Sequence, residues 1–204
     1  MTRDLSQPFI LQQPPAFGRS MTCRLRPGAD PADCLRRLRD RFSPEWSVVG
    51  IGEPLARALG RAVAGLRPFP ALAGRAGAIP STQRDLWIFL PAPDRSALFD
   101  RHEQLKPLLE PLFEVEDAID TFTYRGGRDL SGYEDGTENP RDEAAVEAAL
   151  VPEGEGLEGG SFAAVQRWEH DLKLFFGFAP GHRDAVIGRR IANNEEIPDA
   201  PPTA

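Results

Sequence analysis

The succession of two periodicities constrains this chain more than any other feature. Apolar Met21, Cys23 and Leu25 alternate with polar Thr22 and Arg24, the period of a strand with one buried face. Asp30-Pro31 follows, a carboxylate cap with proline at the first helical position, and Leu35, Leu38 and Phe42 recur behind it at helical spacing. Trp46–Ile51, Asp85–Leu90 and residues 115–124 read as three further strands. Before the last of them, Asp94 caps a helix carrying Leu98, Phe99, His102 and Leu105, which Pro107 and Pro111 are expected to kink or divide. The order is βαββαβ. It predicts an α+β, ferredoxin-like domain over residues 1–125, with one antiparallel sheet and both helices on one face. Trp46, Val48, Trp87 and Phe89 predict a second apolar face that needs a cover of its own.

Other stretches are less regular. Residues 1–19 are rich in proline and glutamine and read as an extended arm. Leu55 and Leu59 suggest a short helix, but GLRPFPALAGRAGAIP after it holds too much glycine and proline for regular structure. After Gly126-Gly127 the pattern restarts. Asn139-Pro140 opens a helix through Val146 and Leu150, Pro152–Gly160 is a loop, Ser161–Glu169 reads as a strand, and residues 171–178 and 181–188 read as helical. A single strand cannot satisfy its own backbone. Either it joins the first sheet or the second domain is cut short, and residues 126–204 are read as the first part of a second, incomplete domain.

Composition removes several classes of function. The net charge of −7 argues against nucleic acid or an anionic membrane as the main partner, since both need a basic face. Cys23 and Cys34 form no CxxC pair and no disulfide framework, which fits a reducing compartment. The N-terminus lacks the cationic start and apolar run of a secretory signal. The apolar runs Leu86–Leu90 and Leu174–Phe178 are far too short to span a bilayer, so a cytoplasmic protein is expected.

The densest polar constellation is Gly132–Pro140, GYEDGTENP. Three readings fit it. Asp135-Gly136 is a common turn dipeptide and Asn139-Pro140 a helix start. Glu134, Asp135 and Glu138 are hard oxygen donors, although their spacing is not that of the calcium loop. A carboxylate on a turn between small residues can also project into a cavity and move a proton, while Gly132 and Gly136 let the backbone approach a flat cofactor.

The segment GGRDLSGYEDGTENP, Gly126–Pro140, resembles the GxxDG-type signature of the dye-decolorising haem peroxidases, closest to their cytoplasmic bacterial B-type subgroup. Gly65–Leu72 (GLRPFPAL), Thr82–Trp87 (TQRDLW), Gly160–Leu172 (GSFAAVQRWEHDL) and Val186–Arg189 (VIGR) match further family segments, in family order. The resemblance implies two ferredoxin-like domains with haem b held in the second. It implies oxidation of dyes and phenolic reductants by hydrogen peroxide, and a homo-oligomer for which an encapsulating protein shell is a conceivable partner. Asp135 matches the distal aspartate, which would accept a proton from peroxide and return it to the departing oxygen. Tyr133, Glu134, Gly136 and Thr137 would line or support the haem edge. Arg189 would pair a haem propionate, a task that suits the guanidinium fork.

The resemblance also places an axial histidine just beyond a segment like Ile197–Ala204, and a distal arginine further on. No metal ligand is therefore assigned among these residues. His102 reads as a structural histidine on a helix, His182 as exposed at a helix start, and His170 as having Asp171 for a neighbour but not as a ligand. The alternative function is a haem-free relative acting as an oligomerising or ligand-binding module.

Overall fold

The computed structural model describes residues 5–75, 77–153 and 157–198. By its internal contacts the chain forms two units. The first comprises the residues up to Phe122 together with Pro140–Ala164; the second comprises Thr123–Asn139 and the residues from Val165 onward.

The first unit is built on strand β1, Phe17–Leu25. After it come α1 (Pro31–Arg41), β2 (Val48–Ile51), α2 (Glu53–Ala58), a hairpin β3 (Leu72–Gly74) and β4 (Gly77–Ile79), then β5 (Leu86–Ala92), α3 (Arg95–Leu109) and β6 (Phe113–Phe122). β1 pairs antiparallel with β5, Met21 opposite Ile88, and with β6, Ser20 opposite Ile119. β2 pairs antiparallel with β5, so the order is β2-β5-β1-β6, the ferredoxin-like sheet that the alternation predicts. Met21, Cys23, Leu86, Ile88 and Leu90 bury one face against Cys34 and Leu38 of α1 and Leu98, Leu105, Leu108 and Leu109 of α3. Cys23 is fully buried in this core, and burial, with Glu116 adding to it, pushes its thiol up to about 12.

Asp85 ties the ends of three segments together. Its carboxylate accepts the Leu25 N–H at 2.8 Å, its own N–H donates to the Cys23 carbonyl at 3.1 Å, and its carbonyl accepts the Gly52 N–H at 2.9 Å. Gly52 has to be glycine here, because a Cβ would run into the Arg84 carbonyl. At the outer edge of β2, the Gln7 amide donates to the Val49 carbonyl at 2.9 Å and accepts the Val49 N–H at 2.8 Å.

Several expectations need correction. Trp46 precedes β2 and packs against the helix-side core, so it does not belong to the second face. That face does carry Val48, Phe89 and Trp87; the two rings stack 6.3 Å apart, and the indole donates to Ser20 Oγ at 2.9 Å. Pro107 does not end α3. The helix runs through it to Leu109, because Leu105, Leu108 and Leu109 are all buried and outweigh one lost main-chain bond. Within the Gly/Pro-rich stretch lies the small exposed hairpin β3–β4. The helix expected at Asn139-Pro140 begins at Asp142 instead (α4, Asp142–Ala149). Of the loop Pro152–Gly160, residues 154–156 lie outside the described residues, as do 1–4 of the N-terminal arm and 199–204 of the C-terminal segment.

Ser161–Glu169 departs furthest from expectation. It carries a strand pattern yet forms no strand, and every residue in it is exposed. A strand-like composition supplies no hydrogen-bonding neighbour, and among the described residues no other segment pairs with it. In the second unit, α5 (Leu172–Gly177) and α6 (Pro180–Ile187) are the helices. Among the described residues, no helix is long and apolar enough to cross a membrane.

Candidate functional site

The signature loop sits in the second unit and is held by its own polar side chains. Tyr124 accepts main-chain bonds from Gly127 and Arg128, at 3.1 and 2.9 Å. The intervening turn puts Arg125, Gly126 and Gly127 at positive φ, which glycine tolerates without steric cost. Arg128 then bridges to Glu134, and its guanidinium donates to the Gly132 carbonyl at 2.8 Å and to Glu134 Oε1 at 2.9 Å. The Asp129 carboxylate accepts the Ser131 N–H at 2.7 Å and the Ser131 hydroxyl, an Asx turn that folds the chain back toward Tyr133. Gly132, at φ +93, closes this turn by donating to the Asp129 carbonyl at 3.0 Å.

Tyr133 anchors the loop. It is 3% exposed, and its hydroxyl donates to Asp184 Oδ1 on α6 at 2.5 Å. Burial, then the bond to Asp184, raises its pKa well above the ordinary phenol value. The same hydroxyl, with the Ile191 N–H at 3.1 Å, holds the Asp184 carboxyl below the usual carboxylate range. The ring meets Phe175 of α5 edge-on, with centroids 6.2 Å apart.

The signature residues that follow are presented outward. Asp135 is exposed; its N–H donates to the Gly127 carbonyl at 3.2 Å, and its carboxylate accepts the Gly136 N–H at 2.8 Å. Among the described residues no lysine or arginine pairs with it. Gly136 turns the chain at φ +65, where a Cβ would press on the Asn139 amide. Glu134 is engaged by Arg128, and Thr137 is half-buried.

Arg189 lies just past the C-terminus of α6, after Gly188 caps the helix in the left-handed region at φ +82. The following loop returns so that Glu196 stands directly opposite Arg189 in an antiparallel bridge, which puts both side chains on one face. The guanidinium, 18% exposed, donates from Nη2 to Glu196 at 2.7 Å and to Glu138 at 3.1 Å, and from Nη1 to the Asn194 carbonyl at 3.1 Å. Arg189 thus reaches the end of the signature loop through Glu138. Asp184 and Glu196 carried no local signal in the sequence. Asp184 pairs with a tyrosine 51 positions away, and Glu196 becomes a partner only because its loop returns on Arg189.

The three histidines lie outside the signature loop in the sequence, on or beside three different helices. His102 is half-buried on α3 in the first unit. His170 is exposed, and the exposed His182 rests on the Phe178 ring with centroids 4.5 Å apart. No group of three or more histidine, cysteine or acidic side chains among the described residues could hold a metal ion. An open depression of about 390 Å³ beside α5, lined by Asp171, Lys173, Leu174, Gly177 and Phe178, does not include the loop.

A ferredoxin-like sheet followed by a glycine-hinged acidic loop pinned to a helix defines an α+β protein of a known kind. Residues 126–203 match the family model described as Dyp-type peroxidase, C-terminal. The dye-decolorizing peroxidase of Brevibacterium linens is 32% identical over 137 residues, 67% of this chain and 37% of that protein. That of Rhodococcus erythropolis is 33% identical over 156 residues, 75% of this chain and 46% of its own length. Among solved structures, a DypB variant from Rhodococcus jostii RHA1 in complex with heme superposes with a TM-score of 0.82 at 27% identity, over 93% of this chain and 66% of that one. A DypB variant in complex with manganese gives 0.83 at 27% identity, over 97% and 69%. The chain belongs to the Dyp-type peroxidase family. It spans less than half the length of these two curated relatives.

Proposed function

We propose that this chain carries the distal side of a haem peroxidase site, with Asp135 as the acid–base residue and Arg189 as the partner of a haem propionate. The observation that carries the reading is the contrast inside one loop. Tyr133 is buried and fixed, while Asp135, two residues on, keeps an exposed carboxylate with no cationic partner among the described residues. The same reading divides the chain into an N-terminal ferredoxin-like domain over 1–125 and the first part of a haem-binding domain over 126–204. Hydrogen peroxide and small aromatic reductants, dyes or phenols, are its substrates.

The residues suit an amphipathic, doubly anionic group such as haem. Arg189 supplies a guanidinium for a carboxylate. Leu130 and Ile191 are exposed apolar surface in the same unit, and the buried Nε of Arg183 has no acceptor among the described residues. Haem, when bound, supplies the redox chemistry with peroxide. The chain's part is to orient and to move one proton. The Arg128 and Tyr133 bonds fix the loop, and Asp135 takes the proton at a carboxylate oxygen and gives it back. Glu134, Gly136 and Thr137 support the same edge.

The test is to load the chain with hemin, subtract the activity of free hemin, and follow peroxide-dependent bleaching of an anthraquinone dye. Asp135→Asn is expected to slow the reaction with peroxide, most clearly at neutral pH and below. An unchanged rate removes Asp135 from its role. No binding of hemin by the unsubstituted chain, read by its Soret band, overturns the reading of this loop as part of a haem site.

A further inference from the structure

Arg189 is not free to receive a propionate in the state described above, and the bookkeeping of its hydrogens shows why. A guanidinium has one Nε–H and two hydrogens on each Nη. Both Nη2 hydrogens are taken, one by Glu138 and one by Glu196, and Nη1 gives one to the Asn194 carbonyl. A carboxylate binds the fork in a bidentate way either end-on, through Nη1 and Nη2, or side-on, through Nε and Nη2. Both modes need an Nη2 hydrogen. One glutamate has to leave.

The two glutamates are not equivalent. Glu196 stands opposite Arg189 in the bridge formed by its own loop and makes the shorter bond, 2.7 Å. Glu138 makes the longer one, 3.1 Å, and arrives from a segment 51 residues away; both glutamate side chains are exposed, 80% and 74%, so water can solvate either, and the bridge and bond length are what set Glu196 apart. It is also the third residue after Asp135, with the glycine hinge at φ +65 between them.

We propose that Glu138 is a placeholder carboxylate: it occupies the Arg189 fork until a ligand carboxylate displaces it, while Glu196 stays and keeps the guanidinium aimed. The inference rests on the reading of Arg189 as a propionate partner. Its consequence is that arrival of the ligand acid releases the end of the signature loop, so the segment carrying Asp135 is freed only when the anion site is filled. The device is a competition between carboxylates for one hydrogen-bond donor. No charge is left buried without a partner at any stage, because the released Glu138 carboxylate is solvated by water.

The experiment is equilibrium titration of the full chain with hemin and, separately, with hemin dimethyl ester, which lacks both carboxylates. Binding is read by the Soret band and by quenching of tryptophan fluorescence. Exposed ion pairs contribute little, so Glu138→Gln is expected to tighten hemin by about two- to fivefold and to leave the ester unchanged. Glu196→Gln is expected not to tighten hemin, because Arg189 loses its aim. In the unsubstituted chain hemin is expected to speed hydrogen exchange of the amides at Asp135–Asn139; in Glu138→Gln that segment is expected to exchange fast already. If Arg189→Ala weakens hemin but Glu138→Gln leaves it unchanged, the placeholder is wrong and the propionate reading stands. If Arg189→Ala leaves hemin unchanged, the propionate reading fails, and the placeholder fails with it. Equal tightening of the ester by Glu138→Gln also overturns the proposal, since the effect is then unrelated to a carboxylate.

Discussion

The two units are held together by different means. In the first, strands paired by main-chain ladders bring Met21, Cys23, Ile88 and Leu90 onto one face, and α1 and α3 cover it. In the second, α5 and α6 have no buried residues at all, and the loop is fixed by Arg128, Asp129, Ser131, Tyr133 and Asp184 through side-chain hydrogen bonds. A sheet unit is stabilised by area removed from water; a loop unit is stabilised bond by bond. The difference teaches where precision and tolerance lie. The sheet absorbs changes of surface charge, whereas the loop can lose its shape through one hydroxyl.

The sharpest way to break this comparison is to truncate one apolar side chain in each unit. Ile88→Ala, in the fully buried core, is expected to cost about 2–5 kcal/mol in urea unfolding. Leu174→Ala, 57% exposed on α5, is expected to stay within about 0.5 kcal/mol. Equal effects would mean that α5 is as much a core element as β5, and the contrast would collapse. Next in size is Tyr133→Phe, which removes a hydroxyl and almost no volume. Limited proteolysis is expected to cut within residues 124–139 sooner, while the first unit's unfolding midpoint stays put; an unchanged cutting pattern would show that packing alone holds the loop.

Smaller effects come from titration. The raised pKa of Tyr133 means that the unfolded chain loses this proton at lower pH than the folded one. The stabilisation is complete below the ordinary tyrosine value near pH 10 and declines as pH rises above it. Absorbance at 295 nm should therefore show the Tyr133 phenolate appearing together with unfolding, and a phenolate that forms while the fold persists would refute this. The smallest expected effect belongs to His102, whose pKa is lowered by burial and then by Arg19. The unfolded state takes up this proton first, so stability is complete above about pH 6.5 and declines as pH falls below it. His102→Leu is expected to flatten that decline in midpoint-versus-pH measurements, and an identical slope would clear His102 of the effect.

Much of this contrast was legible before any coordinates. Strand alternation and the Asp30 and Asp94 caps are local signals, and local signals placed β1, α1, α3 and the βαββαβ succession that implies the ferredoxin-like arrangement. The loop Gly132–Pro140 was legible because its glycine and acidic turn residues are local signals too, while the role given to Asp135 is a proposal. Pairing over long distance was not: the Tyr133–Asp184 bond and the Glu138–Arg189–Glu196 cluster depend on chain return over tens of residues, which no window of sequence records. Ser161–Glu169 shows the reverse error. Its composition suits a strand but cannot create the neighbour that turns an extended segment into one.

The Gln7 side chain has a practical consequence. A single primary amide imitates a strand residue, giving and taking one bond each with Val49, at the place where β2 would otherwise offer its main chain to any passing β-segment. Trimming the chain to begin at Phe17, or attaching a bulky tag that pulls the arm away, would expose that template. Poor yield from such a shortened or tagged preparation would then reflect polymerisation at one unsealed edge, and restoring residues 5–16 would cure it without any change to the core.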